Sequence, residues 1–178
     1  MSRTWILTAI GRDRPGIVAN VTKVLYGLGC NLEDSAMTRL AGEFAIMLAF
    51  AAPTRVTASQ LERAFASTAT RLRLTIAVNA VTTGGRRPAP SRPSLISVYG
   101  ADRAGIVYRM ASLLAHSRVN ITDVSTHQTA GKKPLYHLLL EVELPNRLDR
   151  RRLEQRLQTL AKRLRVTVSL RLVETAIL

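Results

Sequence analysis

The chain is short of most of the residues that carry chemistry. It has one cysteine, Cys30. That excludes an internal disulfide framework and is compatible with a reducing cytosol. Aromatics make up 4% of its 178 residues, too few for a platform on which single-stranded bases stack. The three histidines, His116, His127 and His137, show no metal-ligand spacing, although His127 and His137 could face each other across a hairpin. The 12 acids are scattered, with no pair placed for acid–base work. No nucleophile elbow is present, and no Gly-Lys-Ser/Thr follows a glycine loop. No apolar run reaches the ~18 residues of a membrane span. Met1 leads straight into strand-like sequence, so no secretory leader is expected. These absences leave no basis for an enzyme, a cofactor or a metal, and the chain is read as non-catalytic and cytoplasmic.

Apolar residues are 47% of the total, enough for a core. The net charge is +14, from 26 Lys+Arg against 12 Asp+Glu. It invites nucleic acid as a partner, or reflects an arginine-rich surface that keeps the protein soluble.

What organises the chain is a stretch that occurs twice. Gly11-Arg12-Asp13-Arg14-Pro15-Gly16-Ile17-Val18 returns as Gly100-Ala101-Asp102-Arg103-Ala104-Gly105-Ile106-Val107, an offset of 89. Each copy follows a strand-like run and opens a helix-like one, and a strand-to-helix turn directs free N–H groups outward, a ready anion site. In order, Trp5–Ile10 reads as a strand and Pro15 to about Leu28 as a helix, with Pro15 in its first turn. Asn31–Thr38 and Phe44–Ala51 read as strands, the latter buried on both faces. A helix starts near Thr57 or Ser59, and Arg73–Val81 is a fourth strand. Thr82–Pro93, rich in proline and glycine, reads as a linker. The scheme then repeats. Leu95–Tyr99 is a strand, Ala104 to about Ser117 a helix, and Asn120–Thr129 a strand. Ala130–Pro134 is a turn, Leu135–Leu144 a strand, Asp149 the N-cap of a helix, and Val166–Val173 a strand. Beyond the second hairpin the offset becomes 92, as a three-residue loop insertion in a duplicated domain would make it.

The order βαββαβ, twice, predicts an α+β protein of two ferredoxin-like domains, residues 1–82 and 94–178, joined by the linker 83–93. Each has a four-stranded antiparallel sheet with two helices on one face. Exposed sheet edges favour pairing, and a homodimer is expected.

The motif Gly-x-Asp-Arg-x-Gly-Ile-Val, with an asparagine opening the next strand, resembles the ACT domain in both copies. Two such domains with nothing attached resemble the glycine cleavage system transcriptional repressor family. The resemblance implies a sensor for a small amino acid such as glycine, with ligands held where two domains meet side by side. Carried over, one site would use Asp13, Arg14, Gly16 and Ile17 with Asn120 and Ile121. The other would use Asp102, Arg103, Gly105 and Ile106 with Asn31 and Leu32. Backbone N–H groups at the glycines would take the carboxylate, and Asn31 or Asp13 the ammonium. The same residues have plainer roles: the glycines as tight turns, the aspartates and asparagines as turn caps, the arginines as solvated charge. The resemblance further implies a protein partner, a DNA-binding regulator.

Arg147, Arg150, Arg151, Arg152, Arg156, Lys162, Arg163 and Arg165 crowd the last helix, whose opposite side is a leucine stripe. Arg150, Arg151, Arg152 and Arg156 are the candidate partner-binding residues, on a face that is otherwise merely solvated. Two rival readings stand beside the sensor: a nucleic-acid binder that uses this helix, and a detached regulatory subunit of a metabolic enzyme. Direct base reading has no support, since no helix-turn-helix or zinc finger is present.

Overall fold

A computed structural model describes residues 2–81, 91–129 and 135–173. The chain divides into two compact units, Met1–Gly85 and Arg86–Leu178. The first unit runs β1(Ser2–Arg12), α1(Ile17–Gly27), β2(Asn31–Leu40), β3(Glu43–Pro53), α2(Ala58–Leu72) and β4(Leu74–Ala80). The second runs β5(Ser91–Ala101), α3(Ile106–His116), β6(Asn120–Gln128), β7(Leu135–Pro145), α4(Arg150–Leu164) and β8(Val166–Leu172). Each forms an antiparallel four-stranded sheet, ordered β2-β3-β1-β4 and β6-β7-β5-β8. This is the expected βαββαβ architecture, twice.

The duplication extends to irregularities. The β2–β3 register shifts between Leu32 and Asp34, and the β6–β7 register between Ile121 and Asp123, 89 residues on. Arg73 and Arg165, 92 apart, both end their helices in the left-handed region, at φ 53° and 56°.

Within the first unit, Ile17, Val21 and Leu25 of α1 and Leu61, Phe65 and Thr68 of α2 are buried, one helical stripe each. Leu7, Ile46, Leu48 and Phe50 are among the strand residues buried with them. In the second unit Ile106, Met110 and Leu114 meet Leu153, Leu157, Ala161 and Leu164. The other face of each sheet is open. On β3, Phe44, Ile46, Leu48, Phe50 and Ala52 are buried, while Ala45, Met47, Ala49 and Ala51 between them are not. The expectation of a strand buried on both faces is therefore wrong. Small outward alanines make an alternating strand look uniformly apolar.

Two boundaries also differ. Gly16 is the N-cap of α1, so Pro15 lies before the helix and not in its first turn. Ser91, Arg92 and Pro93 begin β5 and do not belong to the linker. Pro93 turns its backbone toward the β8 side, where its carbonyl accepts from the Val173 N–H and the paired register begins only at Ser94, so its missing N–H costs no ladder bond. Residues 82–90 of the expected linker and the turn Ala130–Pro134 lie outside the described residues.

The helices start in two ways. Thr57 caps α2 with a reciprocal box: its hydroxyl accepts from the Gln60 N–H at 3.3 Å, and the Gln60 side chain accepts from the Thr57 N–H at 2.8 Å. Asp149 caps α4, accepting from the Arg152 N–H at 3.1 Å. Neither α1 nor α3 has a side-chain cap. Thr57→Ala and Asp149→Ala should each lower unfolding free energy by about 1 kcal/mol, read as a drop in urea midpoint with unchanged slope. No loss from either would mean that water replaces the caps at no cost.

Candidate functional site

The repeated motif forms the junction from β1 to α1 and from β5 to α3. Its two glycines do different work. A Cβ on Gly11 would lie 2.8 Å from the Arg73 carbonyl oxygen and 2.8 Å from Leu74 Cδ2. On Gly100 it would meet Val166 Cγ1 at 2.8 Å and its Cα at 3.1 Å. These glycines let the first strand lie against the start of the fourth. Gly16 and Gly105 sit at φ 89° and 90°, where side chains are strained. A Cβ there would find little: the nearest atom to Gly16 is Asn20 Nδ2 at 3.5 Å, and nothing lies within 4 Å at Gly105. Space and uncapped N–H groups coincide at these two positions.

Asp13 and Asp102 hold the turn in place. Asp13 Oδ2 accepts from Arg39 Nη1 at 3.2 Å, and its N–H donates to the Gly42 carbonyl at 3.0 Å. Asp102 Oδ2 accepts from Gln128 Nε2 at 2.6 Å. Arg39 and Gln128 are 89 residues apart, so the same strand position fastens the same aspartate in both copies. These fasteners escape a reading of the motif alone, because they lie 26 residues away. Tyr136 is part of the second copy's surroundings: burial, and then the Asp102 carboxylate, push its phenol pKa up. Arg14 and Arg103 are exposed, and among the described residues neither forms an ion pair. Ile17 and Ile106 point inward and are buried in the cores.

Asn31, Leu32 and Asn120 are exposed, and Ile121 is half-buried against its core. Within a unit they lie far from the turn. Asn31 pairs with Ala51, which pairs with Thr4, whereas Arg12 pairs with Glu43 beside Leu40. Eight residues of β1 separate the two ends, about 26 Å at strand rise. The structure thus brings Asp13, Arg14, Gly16 and Ile17 together at one end of a sheet and leaves Asn31 and Leu32 at the other. The second unit does the same, with Asn120 opposite Glu143 and Gln128 opposite Tyr136.

The candidate basic residues split. Arg150 is half-buried; its Nε donates to Glu154 at 2.7 Å, so it turns away from a common face. Arg151, Arg152 and Arg156 are exposed. His127 and His137 are directly opposed on β6 and β7, with Tyr99 edge-on to His137 at 4.5 Å. Among the described residues no three His, Cys, Asp or Glu gather as metal ligands, and no helix is long and apolar enough to cross a membrane. Cys30 is half-buried, and desolvation raises its thiol pKa, which makes it a poor nucleophile.

The ACT domain family model matches residues 3–79 and 92–171. The glycine cleavage system transcriptional repressor of Escherichia coli (strain K12) is 30% identical over 172 residues, 94% of this chain and 89% of that protein; its counterpart from Shigella flexneri matches equally. Among solved structures, an unknown protein from Galdieria sulphuraria aligns with a TM-score of 0.82 and 23% identity, covering 97% of this chain and 99% of that one. That likeness is one of fold.

Proposed function

The chain belongs to the ACT-domain family, carrying the domain twice, and on that premise we propose that it is a non-catalytic regulator that binds a small amino acid, glycine foremost, at the turns around Gly16 and Gly105. The bound state would alter its affinity for a partner protein, a DNA-binding regulator of glycine cleavage or an enzyme of amino-acid metabolism. Relatedness to the Escherichia coli repressor along 94% of the chain supports that direction.

One observation carries the reading. The two helices that follow the motif are the uncapped ones, each begun by a glycine with open space where a side chain would be. The other two helices are capped by their own side chains. A carboxylate at Gly16 or Gly105 would accept from N–H groups that the protein leaves without a side-chain acceptor. An ammonium acceptor is within the same turn at Asp13 or Asp102, or at Asn31 or Asn120 if a second strand edge lies alongside. Because turn and strand start are at opposite ends of one sheet, a ligand held by both needs two edges. A coupling of about 1–3 kcal/mol would switch partner affinity 5–150-fold.

Calorimetric titration of the full chain with glycine, serine and a panel of other amino acids tests this, repeated on Asp13→Ala and Asp102→Ala. Saturable heat from one amino acid, weakened in one or both variants, is expected. A folded protein that gives no heat with any amino acid overturns the proposal. Affinity capture with and without the bound amino acid then identifies the partner class, transcription factor or enzyme.

A further inference from the structure

In the second unit, α3 and α4 enclose an open groove of about 620 Å³. Arg109 of α3 and Arg152, Arg156 and Arg163 of α4 line it, with the exposed Tyr108 and the hydroxyl of Thr159. No acidic residue lines it. Among the described residues none of the four arginines forms an ion pair; Arg156 donates to Ser117 Oγ at 2.9 Å.

The first unit allows a comparison at the four arginine positions. At the offsets of 89 and 92, the positions of Arg109, Arg152, Arg156 and Arg163 carry Asn20, Gln60, Ala64 and Arg71. Of those four positions only the last keeps a cation, and it is satisfied: Arg71 Nη2 donates to Asn20 Oδ1 at 2.7 Å, while Asn20 Nδ2 donates to the Gly16 carbonyl at 2.7 Å. Two further cations, Lys23 and Arg63, stand where the second unit's groove has Ser112 and Gln155. In the second unit the residue in the acceptor's place is itself a guanidinium. All four are exposed, so water and salt soften their mutual repulsion, and a dense anion among them would turn it into attraction.

The cations are all arginine, whose planar fork pairs with two phosphate oxygens at once. From Arg152 to Arg163 the strip is about 16 Å long at helical rise. The groove volume falls in the range of small-ligand sites, about 300–1,000 Å³. Linked phosphates place more charge on that length than carboxylates spaced along a peptide.

We propose that this groove binds an oligophosphate, two or more linked phosphates, the chemistry shared by inorganic tripolyphosphate and by nucleoside di- and triphosphates. No residue from Asp102 to Ile106 lines it, although Arg109 lies one helical turn from Gly105.

The test is titration of the full chain with tripolyphosphate and with ATP at physiological ionic strength, beside a short DNA duplex. The triple variant Arg109→Asn, Arg152→Gln, Arg156→Ala puts into the second unit residues that the first already tolerates at the same places; circular dichroism checks its fold. Saturable binding of at least one of the two small anions is expected, weakened about 30-fold or more in the triple variant, as loss of several charge-assisted contacts requires. Arg151→Gln, on the same helix but outside the groove, should change it less than about twofold. Tighter binding of ATP than of tripolyphosphate identifies a nucleotide; equal or weaker binding identifies the free anion. The proposal is overturned if neither anion saturates, if the triple variant binds as well as the parent, or if only the duplex binds.

Discussion

Alanine in place of Gly11 is expected to cost about 3 kcal/mol of stability, and alanine at Gly100 a similar amount. The Gly11 methyl would sit 2.8 Å from the Arg73 carbonyl oxygen, a distance at which one atom must move. That oxygen has little freedom. Arg73 is the C-cap of α2 at φ 53°, its N–H bonded to the helix carbonyls of Ala69 and Thr70. The next residue, Leu74, pairs directly with Gly11. Relief would have to break either the helix end or the β1–β4 ladder. Gly16→Ala makes the informative contrast. Its methyl meets only Asn20 Nδ2 at 3.5 Å, so the cost is the left-handed backbone alone, about 1–2 kcal/mol. Urea denaturation should rank Gly11→Ala well below Gly16→Ala. Equal losses would show that the first glycine of the motif is not a packing residue.

Phe65→Ala should cost about 4 kcal/mol and Leu157→Ala about 3 kcal/mol, whereas Phe65→Leu should cost only about 1 kcal/mol. Phe65 is 2% exposed and lies at the centre of the α2 stripe; Leu157, 92 residues on, is 1% exposed at the same place in α4. The second copy thus shows that leucine fills this position in the same fold. Its own neighbours have adjusted, and those around Phe65 have not, so a small void remains and sets the residual cost. Denaturant midpoints at constant slope measure the series. A Phe65→Leu loss as large as that of Phe65→Ala would mean that the two cores are not interchangeable layer by layer.

Much of this was legible from the residues. Two offsets, 89 and 92, located every element of both units, because a duplicated fold must keep helical stripes and strand runs in phase. The motif glycines marked the turn. Their division of labour was not readable: Gly11 and Gly16 differ in what approaches them, and that depends on where β4 ends up. The partners of Asp13 and Asp102 were hidden for the same reason. Arg39 and Gln128 differ in type and carry no motif; only the shared strand position relates them. The last helix showed its basic residues plainly, yet Arg150 left the group for Glu154, and Arg109 joined it from α3. Helix packing decides both, and periodicity within one helix does not report it. On β3, outward alanines disguised an alternating pattern.

The repeated bulge has a consequence for how the chain survives with bare edges. Every residue of β2 is exposed, and β6 is nearly as open. A flat edge of this length is the usual seed of a cross-β fibril, which grows by stacking identical strands in register. A bulge adds local twist and leaves one residue out of the ladder. In β2 the skipped residue is Glu33, a charge that in-register stacking would pile upon itself at every layer. In β6 it is Thr122, followed at once by Asp123. Each copy therefore keeps an edge that can accept a matched neighbour and still resists unlimited growth.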